Sequence, residues 1–186
     1  MLAEHWARYR FASRSIHGRI LDVGCGTGYG ARELALAGRV AEVVAVDRSE
    51  TALSWAGRSY PDPKVSLRLV DLLMERWECE LGSFDGIVAF EILEHLVSEE
   101  AFWRGIDRAL QPNGILWLST PLGRGRGRGC ADPFHAHQLR RSEVDALLDD
   151  SWTKERFGQT GEWIEPWVSG RRYYTMLLRA HRKRVP

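Results

Sequence analysis

Three glycines alternate with other residues in Asp22-Val23-Gly24-Cys25-Gly26-Thr27-Gly28, directly after the apolar run Ile20, Leu21. A residue without a Cβ reaches positive φ cheaply and lets the backbone approach a ligand closely. Carboxylates recur at comparable places: Asp47 after Val43-Val44-Ala45-Val46, Asp71 after the Val65 to Val70 run, and Glu91 after Gly86 to Phe90. Two chemistries use such a set. A dinucleotide fingerprint fits as Gly26, Gly28 and Ala31, with Asp47 about 20 residues on to hold a ribose. That register puts the first required glycine well past the strand and leaves Gly24 occupying the turn. The alternative is a cationic ligand. A pyrophosphate presented to backbone N–H groups would be repelled by Asp22, whereas an ammonium or a sulfonium would be attracted to it.

The elements that must position these residues follow from their periodicity. The apolar runs at 19–23, 43–46, 65–70, 86–90 and 114–118 read as strands, each finishing near a polar residue. Between them, Ala31 to Ala37 and Glu50 to Ala56 read as helices, the second with Ser49 as its N-cap. Strands alternating with helices form βαβ units, hence a mostly parallel sheet covered on both faces. In such sheets ligands lie beyond the carboxyl ends of the strands, where strand order reverses. Asp22, Asp47, Asp71 and Glu91 are expected to gather there, because strand ends converge on one crevice. Ser142 to Leu148 resumes a helical pattern with Ser142 at its N-cap, and 152–157 with 171–178 reads as a closing pair of strands. Trp152, Trp163 and Trp167 are read as core or rim.

Composition bounds the function classes. A chain of 186 residues, 44% hydrophobic and 27% charged, suits one globular domain. With 26 basic against 25 acidic residues, no global charge steers it toward nucleic acid or a membrane surface. Cys25, Cys79 and Cys130 are odd in number and far apart, which disfavours a disulfide framework and a structural zinc site and fits a reducing compartment. The first eleven residues carry Glu4, His5, Arg8 and Arg10 and do not read as a signal peptide, and no apolar run is long enough to span a membrane. A cytoplasmic location is expected. The basic end, Arg179 to Arg184, reads as a solvated terminus.

Leu21-Asp22-Val23-Gly24-Cys25-Gly26-Thr27-Gly28 resembles the first motif of class I S-adenosylmethionine (SAM)-dependent methyltransferases, specifically their small-molecule subgroup. The resemblance extends in order and spacing from Arg8-Tyr9-Arg10-Phe11-Ala12 through Val46-Asp47, Asp71-Leu72, Phe84-Asp85, Phe90-Glu91-Ile92-Leu93-Glu94-His95-Leu96 and Leu110-Gln111-Pro112-Asn113-Gly114 to Ser119-Thr120-Pro121. It implies a Rossmann-like, doubly wound α/β sheet of seven strands with one antiparallel strand near the C-terminus. It implies SAM as cofactor and S-adenosylhomocysteine (SAH) as product. The cofactor residues it points to are Asp22, Gly24, Cys25, Gly26, Gly28, Asp47, Arg48, Asp71, Leu72 and Glu91. Asp47 would accept from the ribose hydroxyls, Asp71 from the adenine amino group, and Leu72 would meet the adenine ring. Residues 1–18 would form an N-terminal helix, on which Tyr9 and Arg10 either cover the cofactor or simply cap the fold. Residues 121–141 would form a flexible substrate-side loop.

The acceptor end is less determined. Methyl transfer is an in-line displacement, so alignment and exclusion of water supply much of the rate and a base is optional. Glu94, His95 and His135 are the candidate catalytic groups, an imidazole being suited to take a hydroxyl proton near neutral pH. His135-x-His137 with Asp132 is an incomplete ligand set, so no metal is assigned. Gly123-Arg124-Gly125-Arg126-Gly127-Arg128-Gly129 suits a solvated loop beside an active site and also suits phosphate or single-stranded RNA. Phe90-Glu91-Ile92-Leu93 stands where base-amino methyltransferases of nucleic acid carry Asn/Asp-Pro-Pro-aromatic. The leading expectation is transfer to an oxygen or nitrogen of a small-molecule acceptor, with RNA as second acceptor class and a noncatalytic SAM-binding partner subunit as a third reading.

Overall fold

The computed structural model describes residues 2–130 and 132–183, so Ala131 and the Arg184 end of the basic tail lie outside the described residues. Helix α1 covers Leu2–Ser13. There follow β1 Gly18–Val23, α2 Tyr29–Ala35, β2 Val40–Asp47, α3 Glu50–Ser59, β3 Val65–Leu69, β4 Phe84–Phe90, α4 Glu100–Ala109 and β5 Leu110–Pro121. A short α5, Arg141–Asp145, precedes β6 Trp152–Thr160, β7 Trp163–Pro166 and β8 Thr175–Arg182. The strands form one sheet in the order β3-β2-β1-β4-β5-β8-β6-β7. The first five are parallel; β8 runs antiparallel to β5, β6 to β8, and β7 to β6.

Successive residues of β1 and β2 alternate between two apolar layers. Leu21, Val23, Val44 and Val46 pack on one face, Ile20, Val43 and Ala45 on the other. This is the period-two pattern of a sheet covered on both sides. Helix α4 covers the first face with Phe102, Gly105, Ile106 and Ala109, the spacing that gathers one helical stripe. Helices α1 and α2 cover the second face. Gly30 presents no side chain there, and the Tyr9 ring fills the space a Cβ would need. Asp22 shares the face of Ile20, which points its carboxylate into the layer beneath α1. The order of the strands reverses between β1 and β4, so the glycine turn after β1 and Glu91 after β4 flank the switch point.

Most expected elements form with boundaries shifted by a few residues, and the Ser49 side chain caps α3 by accepting from the Ala52 N–H at 3.2 Å. The sheet has eight strands where seven were expected. The additional β7 arises because Gly161, at φ +58°, allows a two-residue turn between Thr160 and Trp163. Its sequence, Trp163-Ile164-Glu165-Pro166, is short and ends in proline, tolerable here because β7 is the edge strand. Strand β8 begins at Thr175 and not at 171, since Arg171 and Tyr173 are drawn away to Glu165 at 2.7 Å each. Helix α5 is capped at Arg140, not Ser142: the Glu143 carboxylate accepts from the Arg140 N–H at 2.7 Å, and a charged acceptor outcompetes the Ser142 hydroxyl. Trp152 is buried, while Trp163 is 68% exposed on the edge strand. No helix among the described residues is long and apolar enough to cross a membrane.

Candidate active site

The glycine turn leaves β1 with Gly24 at φ +69° and Gly26 at φ +53°, values that L side chains rarely adopt. The two glycines differ in what surrounds them. A Cβ at Gly24 would run into the Ile92 side chain, so this position is closed by packing. A Cβ at Gly26 would meet nothing within 4 Å, so this position keeps a cradle open. Gly28, at the start of α2, packs against Ala56 of α3 and lies outside the main cavity. Cys25 is buried among the apolar residues of the α1 side, and burial pushes its thiol well up.

Asp22 lies fully buried beneath this turn. The Tyr9 hydroxyl donates to its Oδ1 at 3.1 Å, and its Oδ2 has no hydrogen-bond partner. Loss of water pushes the Asp22 carboxyl up to about 8, against the pull of the Tyr9 hydrogen bond and with a further push from Asp47. A proton or a cationic donor above the open turn would each relieve such an unpartnered oxygen. The Tyr9 hydroxyl is raised further by the same burial, so it remains a donor. Arg10, its neighbour in sequence, instead points outward to Glu33 at 3.3 Å.

Asp47 ends β2 and braces the turn from the side. Its Oδ2 accepts from the Gly26 N–H at 2.8 Å and its Oδ1 from the Ser49 N–H at 2.9 Å. Asp71, just after β3, accepts from the Leu73 N–H at 3.0 Å through one oxygen. A cavity of about 430 Å³ opens between these strand ends. Gly24, Asp47, Arg48, Asp71, Leu72, Glu91, Ile92, His95 and Phe134 are among the residues that line it. The strand-end acids thus gather as expected, with Asp22 directly beneath the cavity instead of in its wall. The donor set fits SAM. Asp47 and Asp71 offer carboxylate acceptors, Leu72 an apolar side chain, Gly26 open space at the turn, and Asp22 an oxygen without a partner.

Glu91 carries backbone strain, with φ +54° at a non-glycine position. It is held from two sides. The Ser119 hydroxyl donates to its Oε1 at 2.8 Å, and Arg8 Nη1 faces the same oxygen at 3.1 Å. Arg8 is itself 3% exposed, and its Nε donates to Gln159 Oε1 at 2.6 Å. Gln159 Nε2 in turn donates to the carbonyls of Glu4 and Gly161 at 2.9 and 2.8 Å. Helix α1 is thereby clamped across the strand ends, from β4 to β6. Arg8 had no role in the sequence reading, because a charge on a short amphipathic helix looks solvated until its partners 83 and 151 residues away are placed.

Beyond Glu91 a single 3₁₀ turn, Leu93–His95, carries Glu94 into the core and leaves His95 in the cavity wall. Glu94 is 1% exposed. Its Oε2 accepts from the Thr120 hydroxyl at 3.4 Å, and its Oε1 has no partner. Burial first, then the charge of Glu91, pushes its carboxyl up to about 8. The segment 134–136 returns to this turn: the Ala136 N–H donates to the Glu94 carbonyl at 2.7 Å, and His95 Nδ1 lies 3.0 Å from the Phe134 carbonyl. The His95 and His135 rings meet edge to face at 4.9 Å. The three catalytic candidates Glu94, His95 and His135 are therefore brought together, although 40 residues separate His135 from His95. His137 is turned the other way, to Glu99 at 3.3 Å, so the His135, His137 and Asp132 set does not form.

The arginine-glycine segment carries no helix or strand, and it is tied down at several points. Its Gly123 and Gly125 N–H groups donate to the Leu139 and Gln138 carbonyls at 2.9 and 2.8 Å. Arg126 makes a two-pronged pair with Glu99, at 2.5 and 3.0 Å. Arg124 and Arg128 instead line a second cavity with Gln138.

Comparison with known proteins supplies the family. A family model described as a methyltransferase domain matches residues 21–118. A probable S-adenosylmethionine-dependent methyltransferase of Mycobacterium tuberculosis is 35% identical over 146 residues, covering 76% of this chain and 51% of the relative. A ubiquinone biosynthesis O-methyltransferase of Methylocella silvestris is 33% identical over 61% of this chain and 44% of its own. The chain thus spans about half the length of the curated relatives it matches. Among solved structures, the SAH complex of DhpI superposes with a TM-score of 0.66 at 20% identity, covering 95% of this chain and 82% of that one. The small RNA methyltransferase HEN1 superposes with 0.75 at 16% identity, covering 98% of this chain and 26% of HEN1. These two likenesses speak for the fold. With a glycine turn, an orphaned acid beneath it and acceptors at successive strand ends, the chain belongs to the class I S-adenosylmethionine-dependent methyltransferase family.

Proposed function

We propose that this chain transfers the methyl group of SAM to an oxygen or nitrogen of a small-molecule acceptor, working as one domain in the cytoplasm. The observation that carries the reading is the single cavity lined by Asp47, Asp71 and Leu72 together with Glu91 and His95. Asp47 holds the ribose, Asp71 accepts from the adenine amino group against Leu72, and Arg48 edges the same end. Gly24 and Gly26 shape the turn on which the methionine portion lies, Gly28 and Cys25 support that turn by packing, and the ammonium sits over Asp22. The bound sulfonium supplies an electrophilic methyl group. The chain's own residues align it, and α1, clamped by Arg8, excludes water from the crevice. The acceptor enters beside Glu94, His95 and His135. The three unpaired cysteines fit the reducing location.

Methyl transfer from isotopically labelled SAM to an extract of small metabolites tests the reading. Label in a metabolite fraction is expected, and absence of transfer to any acceptor class while SAH binds would leave a noncatalytic cofactor-binding subunit. A second reading, an RNA acceptor, is favoured by one observation. Arg124 and Arg128 share a cavity of about 420 Å³, and neither makes an ion pair among the described residues. RNA affinity falling steeply between 50 and 200 mM salt, by roughly tenfold or more, is what phosphate contacts would produce. No binding at low salt removes that reading.

A further inference from the structure

Arg124 and Arg128 are the arginines of the glycine-rich segment that the fold leaves unpaired, and the backbone between them is already fixed. Gly125 and Gly127 take φ +101° and +68°, and the Arg128 N–H donates to the Gly125 carbonyl at 3.3 Å, closing a turn. Arg140 Nε donates to the Arg124 carbonyl at 2.7 Å, and the Glu143 carboxylate accepts from the Arg126 N–H at 3.1 Å. The turn brings side chains four residues apart onto one cavity of about 420 Å³, whose other walls are Gly129, Cys130 and Gln138. The acids nearby are engaged elsewhere. Glu99 pairs with Arg126 and faces His137, and Glu143 accepts from the Arg126 and Arg140 N–H groups. Among the described residues the Arg124 and Arg128 side chains have no partner. Two free guanidiniums on one walled cavity offer planar, multidentate donors, and an anion relieves the repulsion between them.

This basic cavity adjoins the candidate catalytic groups. Gln138 Nε2 lies 3.3 Å from His135 Nδ1 and Cys130 Sγ 3.9 Å from the same nitrogen, while the His135 ring meets that of His95, which lines the cofactor cavity. His135 thus touches wall residues of both cavities. We propose that the basic cavity is a recognition subsite for the methyl acceptor, and that this acceptor is a small molecule carrying a phosphate monoester. Its anionic oxygens pair with Arg124 and Arg128, and its reacting oxygen or nitrogen reaches across His135 toward the cofactor cavity. This rests on the proposed methyl transfer and narrows its acceptor. A phosphate monoester carries about −1.5 to −2 charges at neutral pH, which two guanidiniums match. An extended RNA strand suits the site less. Two free arginines neutralise only two phosphates, and Glu99, Glu143 and Asp132 lie on or against the same segment, where further phosphates would be repelled.

The test titrates the full chain with inorganic phosphate at constant ionic strength, read by broadening of the phosphorus resonance. Saturable binding is expected, weakened at least about tenfold in the double variant Arg124→Gln with Arg128→Gln. SAH affinity on the same samples is expected to match wild type, which keeps loss of the anion site distinct from unfolding. In a second arm, transfer from labelled SAM to an extract of small metabolites should disappear when the extract is first treated with alkaline phosphatase. No saturable phosphate binding, equal binding by wild type and double variant, or label that survives phosphatase overturns the proposal. An RNA oligonucleotide without terminal phosphates, bound more tightly than phosphate by wild type and lost in the double variant, would overturn it in favour of RNA. An extract that takes no label even before phosphatase, with phosphate bound as expected, would instead overturn methyl transfer to small molecules and leave the anion site standing.

Discussion

Replacing Asp47 by alanine tests the cofactor geometry most directly. An ionised carboxylate offers about four acceptor positions. Two are committed inside the protein, to Gly26 N–H at 2.8 Å and Ser49 N–H at 2.9 Å, so two remain toward the cavity that Asp47 lines. A ribose presents two hydroxyl donors, which matches. Hydrogen bonds to a charged group contribute roughly 1.5 to 3 kcal/mol. The alanine variant loses the ribose contacts, while water entering the space the carboxylate vacates can pair the released Gly26 and Ser49 N–H groups. The expected loss in SAH affinity is about 1.5 to 3 kcal/mol, or about ten- to 150-fold at 1.4 kcal/mol per decade. Asparagine sharpens the test. It keeps one carbonyl acceptor but turns an NH₂ donor toward a backbone donor, so Asp47→Asn should fall near alanine and not near wild type. Isothermal titration with SAH, which cannot turn over, measures all three proteins. An Asp47→Ala affinity within about twofold of wild type, with an unchanged circular dichroism spectrum, would mean the ribose lies elsewhere.

Gly26→Ala adds a methyl group to open space at positive φ, so it should cost only about 1 kcal/mol of stability while obstructing the cradle and abolishing SAH binding; binding that survives would show the methionine portion does not pass there. Asp22 makes stability depend on pH. Its native carboxyl holds a proton up to about pH 8 and its unfolded counterpart only to about 4, so the native state binds more protons in between and this contribution is lost as pH rises through 8. Asp22→Asn should flatten that loss by up to about 1.4 kcal/mol per pH unit between 5 and 8 in urea melts, and a variant curve parallel to wild type would refute it. Arg8→Ala removes the buried partner of Glu91 and Gln159 and should destabilise by about 3 kcal/mol, read as a lowered urea midpoint; a change below about 0.5 kcal/mol would mean the clamp is not structural.

The sheet and the cofactor end were legible because local signals determine them. Period-two apolar runs, glycines that only a tight turn requires, and acids at strand ends each act over a few residues, so Asp47 and Asp71 emerge on one cavity as their positions imply. What escaped was set by distance. Strand β7 has four residues and a proline, too little for a periodic pattern. Arg8 and Gln159 read as surface polar groups until tertiary packing buries them together. Glu94, His95 and His135 were each recognisable as chemical groups, yet their convergence depends on a loop whose path has no periodicity to read, and it dissolved the His135-x-His137 pairing that spacing alone suggested.

The place of β8 bears on how the protein is made. It lies between β5 and β6, so the β6–β7 hairpin has no sheet to join until residues 175–182 have left the ribosome. Gln159 is on that hairpin and Arg8 on the first helix. During vectorial synthesis, then, the glycine turn, the parallel strands and the Arg8–Glu91 pair can assemble early, while the bond from Arg8 to Gln159 waits for β8. The crevice acquires its second fastening late, and a nascent chain stalled before β8 would leave Arg8 Nε without Gln159 and expose an unpaired edge of β5.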